Sequence, residues 1–472
     1  MSQMQKNLQS PLTRQYAHWS HQCRLEDLSA QSLEVAHLGF VDCLGVMLAG
    51  ANEPVLQALR QWAALQGGYA RARCVGQAER LPASMAALIN ATAAHALDFD
   101  DFAFSNHPSA VLCPAILGAA DASPRPISGA LALKAYVLGY EVWADAFVRE
   151  PDLYYDKGWH PTAILGTLGS AVAASVIMGL SEDQTCHALA LAASCAGGVF
   201  ENFGTMAKPL HGGRASSVGV MAAEMAACGM QASEQAIEGP RGMLRAFSPE
   251  GRVDLASSFH QKEAWWIHRY RLNLKRFPVV GSAQRGIEAM LGWREQNPKV
   301  QAVNIDKIHI VISQRHAAVM PYALPQDALQ AKFSLPFALV CALLKGRVGL
   351  NELQDDFIQS AQVQHLMACV TIETTEDFEP GWRDAAPFDQ LWVHEKDGRI
   401  SASPPIRRPR GHADLPMDSA QVREKFIDTV MFAGPSAAQA DATYQAWMKL
   451  PQVKDIRELS WPDVHGNQEK NS

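Results

Sequence analysis

The 472-residue chain has no C-x-x-C pair, no G-x-G-x-x-G after a strand, no Walker loop and no G-x-S-x-G elbow. These absences leave little reason to expect a bound nucleotide or a serine nucleophile. No H-x-x-x-H or cysteine ligand set is present either. The nine cysteines are dispersed, which reads as reduced core thiols in a cytoplasmic protein. A basic excess is also missing: 41 Lys and Arg stand against 48 Asp and Glu, for a net charge of −7. That balance argues against a general nucleic-acid binder. It leaves room for a small anionic ligand, which needs only a few local cations. The first twenty residues are polar and lack the apolar core of a signal segment, again pointing to the cytoplasm.

What is abundant is small-residue apolar sequence. From Pro161 to Leu180 twenty residues pass without a charge, about the length of a membrane span. Gly166, Gly169, Gly179 and many Ala and Ser residues make the stretch only moderately apolar, and 186–200 and 215–229 look alike. Small residues let helices approach closely, so the expected structure is a tightly packed multihelical core with no membrane span. Helical periodicity continues through 32–50, 84–101 and 129–150. The character changes near residue 271. "DKIHIVIS" (306–313) alternates like a half-buried strand, "ACVTIETTED" (368–377) is β-rich, and "LWVHEKDGRISAS" (391–403) reads as a hairpin with positive-φ residues at Asp397-Gly398. A helix is expected over 328–346, a Pro- and Arg-rich linker over 404–416, and helix again at 419–432 and 436–450. The expected fold is mainly α: a helical domain (1–270 and 404–460), a smaller α+β domain (271–403) and a disordered tail (461–472).

Chemistry-bearing residues gather where helices begin. "HPSAVLCPAILGAAD" (107–121) and "HPTAILGTLGSAVAAS" (160–175) each place a histidine two residues before a Ser or Thr that could cap a small-residue helix. His107 and His160 would then lie beside exposed helix N–H groups, where anions are favoured. "MAKPLHGGRASSVGVMAAEMA" (206–226) carries Lys208, His211 and Arg214 on what reads as a Gly-containing loop leading into another such helix. "DFDD" (98–101) ends the helix before the first H-P-S. Carboxylates there oppose the helix dipole and need a partner: a divalent cation, a histidine whose tautomer one of them sets, or solvent. With no metal-ligand set elsewhere, pairing to histidine is the favoured reading. "LKRFP" (274–278) stands at the change of character, so Lys275 or Arg276 could reach a cleft between domains, or form a plain surface basic pair.

These blocks, with "EGPRGMLRAF" (238–247), "AKFSLPFALV" (331–340) and the late "VREKF", occur in order over about residues 12 to 450. They closely resemble the MmgE/PrpD family of 2-methylcitrate dehydratases, cis-aconitate decarboxylases and iminodisuccinate epimerases. The resemblance implies a helical domain with a smaller α+β lid, a homodimer, and a site between the domains that uses no cofactor or metal. It implies a lyase (dehydratase or decarboxylase) acting on a small di- or tricarboxylate. An epimerase is the alternative chemistry, and a non-catalytic carboxylate-binding protein the alternative class. Carried over residue by residue, His160 is the first candidate for general acid/base, His107 its partner, and Asp98 the carboxylate that orients or charges one of them. Lys208 and Lys275 would hold carboxylates and stabilise enolate-like charge, with His211 and Arg214 nearby. Where relatives have a hydroxyl after the acidic run this chain has Phe102, so an apolar ring replaces a donor to substrate.

Overall fold

The computed structural model describes residues 10–259, 265–379 and 386–464; these divide into two compact units, the first from the described residues up to 272 and from 419 on, the second from those between 273 and 418. The Pro- and Arg-rich segment 404–416, expected as a linker into the returning helical part, belongs to the second unit, where Ile406 bridges Asp389 beside the sheet. Of the tail expected to be disordered, 465–472 lies outside the described residues. Trp461 is ordered against Trp447, with ring centroids 6.5 Å apart.

The principal helices of the first unit are α1 (Ala30–Gly50), α2 (Ala83–Ala96), α3 (Pro108–Ala122), α4 (Gly129–Val148), α5 (Pro161–Met178), α6 (Glu182–Ser194) and α7 (Ala207–Ala227). In the second unit α8 (Gln284–Gln296) and α9 (Leu335–Lys345) pack with a four-stranded sheet of β1 (Ile305–Ser313), β2 (Val370–Thr375), β3 (Gln390–Glu395) and β4 (Ile400–Ala402). Chain order then returns to the first unit with α10 (Ser419–Phe432) and α11 (Ala437–Trp447). Sheet order is β2-β1-β3-β4; β1 pairs parallel with β2 and the other pairs are antiparallel. Alternation along β1 buries Ile308, Ile310 and Ile312, the apolar face that the sequence pattern shows. Of Asp397-Gly398 only Gly398 takes positive φ. The helix expected over 328–346 is broken: Ala328–Ala331 is a short turn, then Ser334 caps α9 by accepting the Phe337 N–H.

Helices α1 and α5 are long and apolar enough to cross a membrane, but 78% and 89% of those windows are buried inside the protein. Their small residues are spent on close approach. Gly139 of α4 and Gly169 of α5 face each other so tightly that a Cβ on either would lie 2.6 to 2.9 Å from the other's carbonyl oxygen. A Cβ on Gly219 of α7 would lie 2.5 Å from the Ala171 nitrogen and collide with the Ser170 side chain. Ser170 Oγ in turn donates to the Ala215 carbonyl at 2.7 Å, so the α5–α7 contact is hydrogen-bonded as well as close. Gly213 does the same toward α2, where a Cβ would collide with Thr92 and the Leu88 carbonyl.

Gly219→Ala is therefore expected to lower unfolding free energy by about 1–3 kcal/mol, the cost of overpacking against backbone that cannot retreat. Urea unfolding checks it, and a variant as stable as the parent would contradict the close-approach account.

Candidate active site

The helix starts differ from the sequence expectation in one way that matters. Pro108 and Pro161 are themselves the first residues of α3 and α5, so His107 and His160 occupy the N-cap positions. Proline favours that first position because its missing N–H has no partner to lose. Ser109 and Thr162 do not cap. Ser109 Oγ lies 2.7 Å from the Tyr136 hydroxyl, while its backbone N–H donates to Asp101 Oδ1 at 3.4 Å. Thr162 Oγ1 accepts the His107 backbone N–H at 3.3 Å, tying the start of α5 to that of α3. The third segment is not a loop either. Helix α7 already begins at Ala207, so Lys208, His211 and Arg214 are helical, and the two glycines between them serve packing.

Helix α2 ends at Ala96, so D-F-D-D lies in the following turn and not on the helix. Asp98 (φ 51°), Phe104 (φ 38°) and Ser105 (φ 58°) hold left-handed backbone in this turn, a cost of roughly 1–3 kcal/mol each. Burial of Phe104 among Tyr140, Trp143 and Phe147 offsets part of it. A further clamp comes from α10: Lys425 Nζ donates to the Phe99 carbonyl at 3.0 Å and pairs with Asp42 at 2.6 Å.

The turn sends its carboxylates in different directions. Asp98 forms a buried ion pair with Lys208. Asp100 Oδ2 faces His95 Nδ1 and His107 Nδ1, each at 2.9 Å, and His107 Nδ1 also lies 3.0 Å from the Asp101 carbonyl oxygen. The carboxylate that holds histidines is thus Asp100, and Asp98, the sequence candidate for that role, pairs with lysine. The His95 and His107 ring centroids lie 4.4 Å apart, and the His95 and His160 rings stack at 5.9 Å. His160 Nδ1 lies 3.2 Å from His211 Nδ1, so one of these nitrogens donates to the other. The glycine-rich loop 196–204 completes the wall. His160 donates its N–H to the Gly198 carbonyl at 3.0 Å, and Phe203 packs edge-on against the His160 ring at 4.9 Å. Lys208 Nζ lies 5.3 Å from the centroid of the Phe203 ring.

His95, Asp98 and His107 each bring a ligand-type atom within 4.8 Å of the others. Within the group Asp98 pairs with the Lys208 ammonium and both imidazole Nδ1 atoms lie 2.9 Å from Asp100 Oδ2, while His95 Nε2 has no partner among the described residues.

Models of the MmgE/PrpD N-terminal and C-terminal domains match residues 14–256 and 277–449. The chain belongs to the MmgE/PrpD family. It is similar to a cis-aconitate decarboxylase of Homo sapiens, 28% identical over 461 residues covering 95% of this chain and 92% of that protein. One from Mus musculus is 28% identical over 435 residues, covering 88% of this chain and 86% of its own. A third, from Aspergillus terreus, is 22% identical over 445 residues, covering 89% of each.

Of the residues read from the sequence in this MmgE/PrpD chain, His107, His160, Lys208, Asp98 and His211 lie together in the first unit. Arg214 does not join them; it is exposed and donates to the Cys195 carbonyl at 3.3 Å. Phe102 sits half-buried in the D-F-D-D turn. Lys275 belongs to the second unit and is buried, so the surface-pair reading fails for it; Arg276 remains half-exposed, 3.6 Å from Glu288. The sequence reading missed His95, Asp100 and Phe203. Only position could have flagged the first two, since His95 lies three residues before D-F-D-D and Asp100 lies within it.

Burial decides the protonation states. It pushes His95 down to about 3 against the pull of Asp100, and His211 down to about 4 with help from Lys208. His160 falls well below the ordinary histidine range, from burial first and the Lys208 charge second. Burial would raise Asp100, but His107 and His95 together hold it well below the usual carboxylate range. Asp101 moves the other way, raised by burial and by Asp42.

A histidine held neutral in the fold but titrating near 6.5 when unfolded contributes stability above pH 6.5. That contribution is lost progressively as pH falls toward 3, because only the unfolded chain takes the proton. Buried Glu141 and Asp389, pushed up to about 8 and about 7, work in the opposite sense, so the histidine term is read by difference. Between pH 7 and 5 the wild type is expected to lose about 2 kcal/mol more than His95→Gln in urea unfolding. Equal pH slopes would contradict a neutral, buried His95.

Proposed function

We propose that this MmgE/PrpD chain is a lyase, a dehydratase or decarboxylase, that acts on a small di- or tricarboxylate by histidine acid/base catalysis. The observation that carries this reading is the cluster of half-buried His107 with buried His160 and Lys208, built from three helix starts in one unit. The relatives named as cis-aconitate decarboxylases favour a polycarboxylate and a lyase.

The chemistry follows from the site's charges. Lys208, at the second residue of α7, offers an ammonium whose internal partner Asp98 a substrate carboxylate can replace. A buried cation next to helix N–H groups stabilises charge that develops on carbon and the adjacent carboxylate when a proton or CO₂ leaves. His160, held neutral, has a buried Nε2 with no protein partner among the described residues, an atom suited to accept or return that proton. His107, held at Nδ1, is the second acid/base. Phe102 supplies no hydroxyl to the substrate, which favours a substrate with one fewer hydrogen-bonded oxygen at that end. An epimerase, moving one α-proton between faces, needs the same two bases and is the second reading.

Proton NMR in D₂O with 2-methylcitrate, cis-aconitate and iminodisuccinate tests the reaction class. Loss of water or CO₂ is the expected outcome, α-deuteration without loss selects the epimerase, and silence across the panel overturns both. On the substrate so found, His160→Ala is expected to lower kcat about 10²–10⁴-fold. Lys208→Ala is expected to lower kcat/KM by a similar factor. Full turnover by either variant would overturn the assignment.

A further inference from the structure

Two imidazoles and a carboxylate converge beside Lys208. His95, Asp98 and His107 each place one ligand-type atom within 4.8 Å of the others, and His95 and Asp98 are buried. His95 Nδ1 lies 2.9 Å from Asp100 Oδ2, and His107 Nδ1 lies 3.0 Å from the Asp101 carbonyl oxygen. An ionised carboxylate and a carbonyl oxygen only accept, so Nδ1 carries the hydrogen on both rings. The lone pair of each neutral ring is then at Nε2. His95 Nε2 is buried and takes no protein partner among the described residues. A buried polar atom left unmatched calls for an explanation, and an ion is one that two imidazoles and a carboxylate can hold.

We infer that His95, Asp98 and His107 form a binding site for a divalent cation of the Zn²⁺ class. Metal-ligating histidines commonly donate one ring N–H to a carboxylate or a backbone carbonyl and bind the ion through the other nitrogen. His95 and His107 are already held in that way, by Asp100 and by the Asp101 carbonyl. Imidazole nitrogen suits Zn²⁺ and Co²⁺, whereas Mg²⁺ and Ca²⁺ favour sets made of oxygen alone. Three protein ligands leave a fourth position for solvent.

Lys208 opposes the ion. Its ammonium pairs with Asp98, so it competes for that carboxylate and repels a second cation. An ion bound here takes the His107 lone pair and the partner of Lys208, two groups that the proposed function uses. Inhibition by the ion therefore rests on that reading, whereas binding does not.

The test is calorimetric titration of the chelator-treated full chain with Zn²⁺, with Co²⁺ as the spectroscopic probe. About one saturable Zn²⁺ per chain is expected, and a Co²⁺ spectrum without a thiolate charge-transfer band. That band would mark capture by a thiol such as exposed Cys228 and would overturn the site. His95→Asn keeps an N–H donor toward Asp100 and removes Nε2, so it is expected to abolish binding. Asp100→Asn is expected to weaken binding about 10–100-fold. Lys208→Met is expected to tighten it at least about tenfold. No saturable Zn²⁺, or His95→Asn binding like the wild type, overturns the inference. Should His95→Asn fail to fold, Lys208→Met decides, since general damage cannot tighten binding; an affinity no higher than wild type overturns the site. On the substrate identified above, Zn²⁺ is expected to abolish turnover and a chelator to restore it. Zn²⁺ bound with turnover unchanged would uphold the site and remove His107 from the proposed mechanism. Turnover intact with no Zn²⁺ bound would overturn the site and leave the proposed function standing.

Discussion

The close approach of α5 to α7 and of α7 to α2 fixes everything at the site. A side chain at a helix start reaches only a few ångströms, so three starts can share one cluster only if their helices nearly touch. Gly219 against Ser170 and Ala171, and Gly213 against Thr92 and Leu88, leave no room for a Cβ at either contact. With the helices locked at that distance, His160 and Lys208 meet beside His95, and the turn after α2 closes over them.

Burial then makes each charge conditional. Lys208 and Asp98 tolerate a dry environment because each is the other's partner. Asp100 tolerates it through two imidazole donors, and Asp101 by favouring its neutral form. His95 and His160 are held neutral by burial, and the Nε2 of each is buried with no protein partner among the described residues. Such a site is short of donors. On the function proposed above, a substrate carboxylate entering it would compete with Asp98 for Lys208, which would couple substrate binding to the ion pair.

Much of this was legible in the chain and the rest had physical reasons to be hidden. Periodicity marks the helices of both units and the alternation of β1, and the repeated H-P-[ST] step marks two of the helix starts. Ser and Thr are strong N-cap residues, yet proline's preference for the first helical position moves the cap two residues earlier, onto histidine. The Gly212-Gly213 pair reads as a loop because glycine weakens helices; here Gly213 is needed for the close contact with α2. His95 was hidden for a similar reason, since a histidine inside an apolar helix has no pattern that separates packing from chemistry. Which aspartate faces which partner depends on the left-handed backbone at Asp98, a feature no spacing encodes.

The central claim is that the cluster of helix starts is where a polycarboxylate binds and that Lys208 receives it. The most direct measurement is a crystal structure with tricarballylate, a saturated tricarboxylate with no double bond or hydroxyl to lose. The account predicts one of its carboxylates within about 3.2 Å of Lys208 Nζ, with Asp98 displaced from that ammonium and His160 Nε2 facing the ligand. Density for the ligand elsewhere, with the Lys208–Asp98 pair intact, would contradict it.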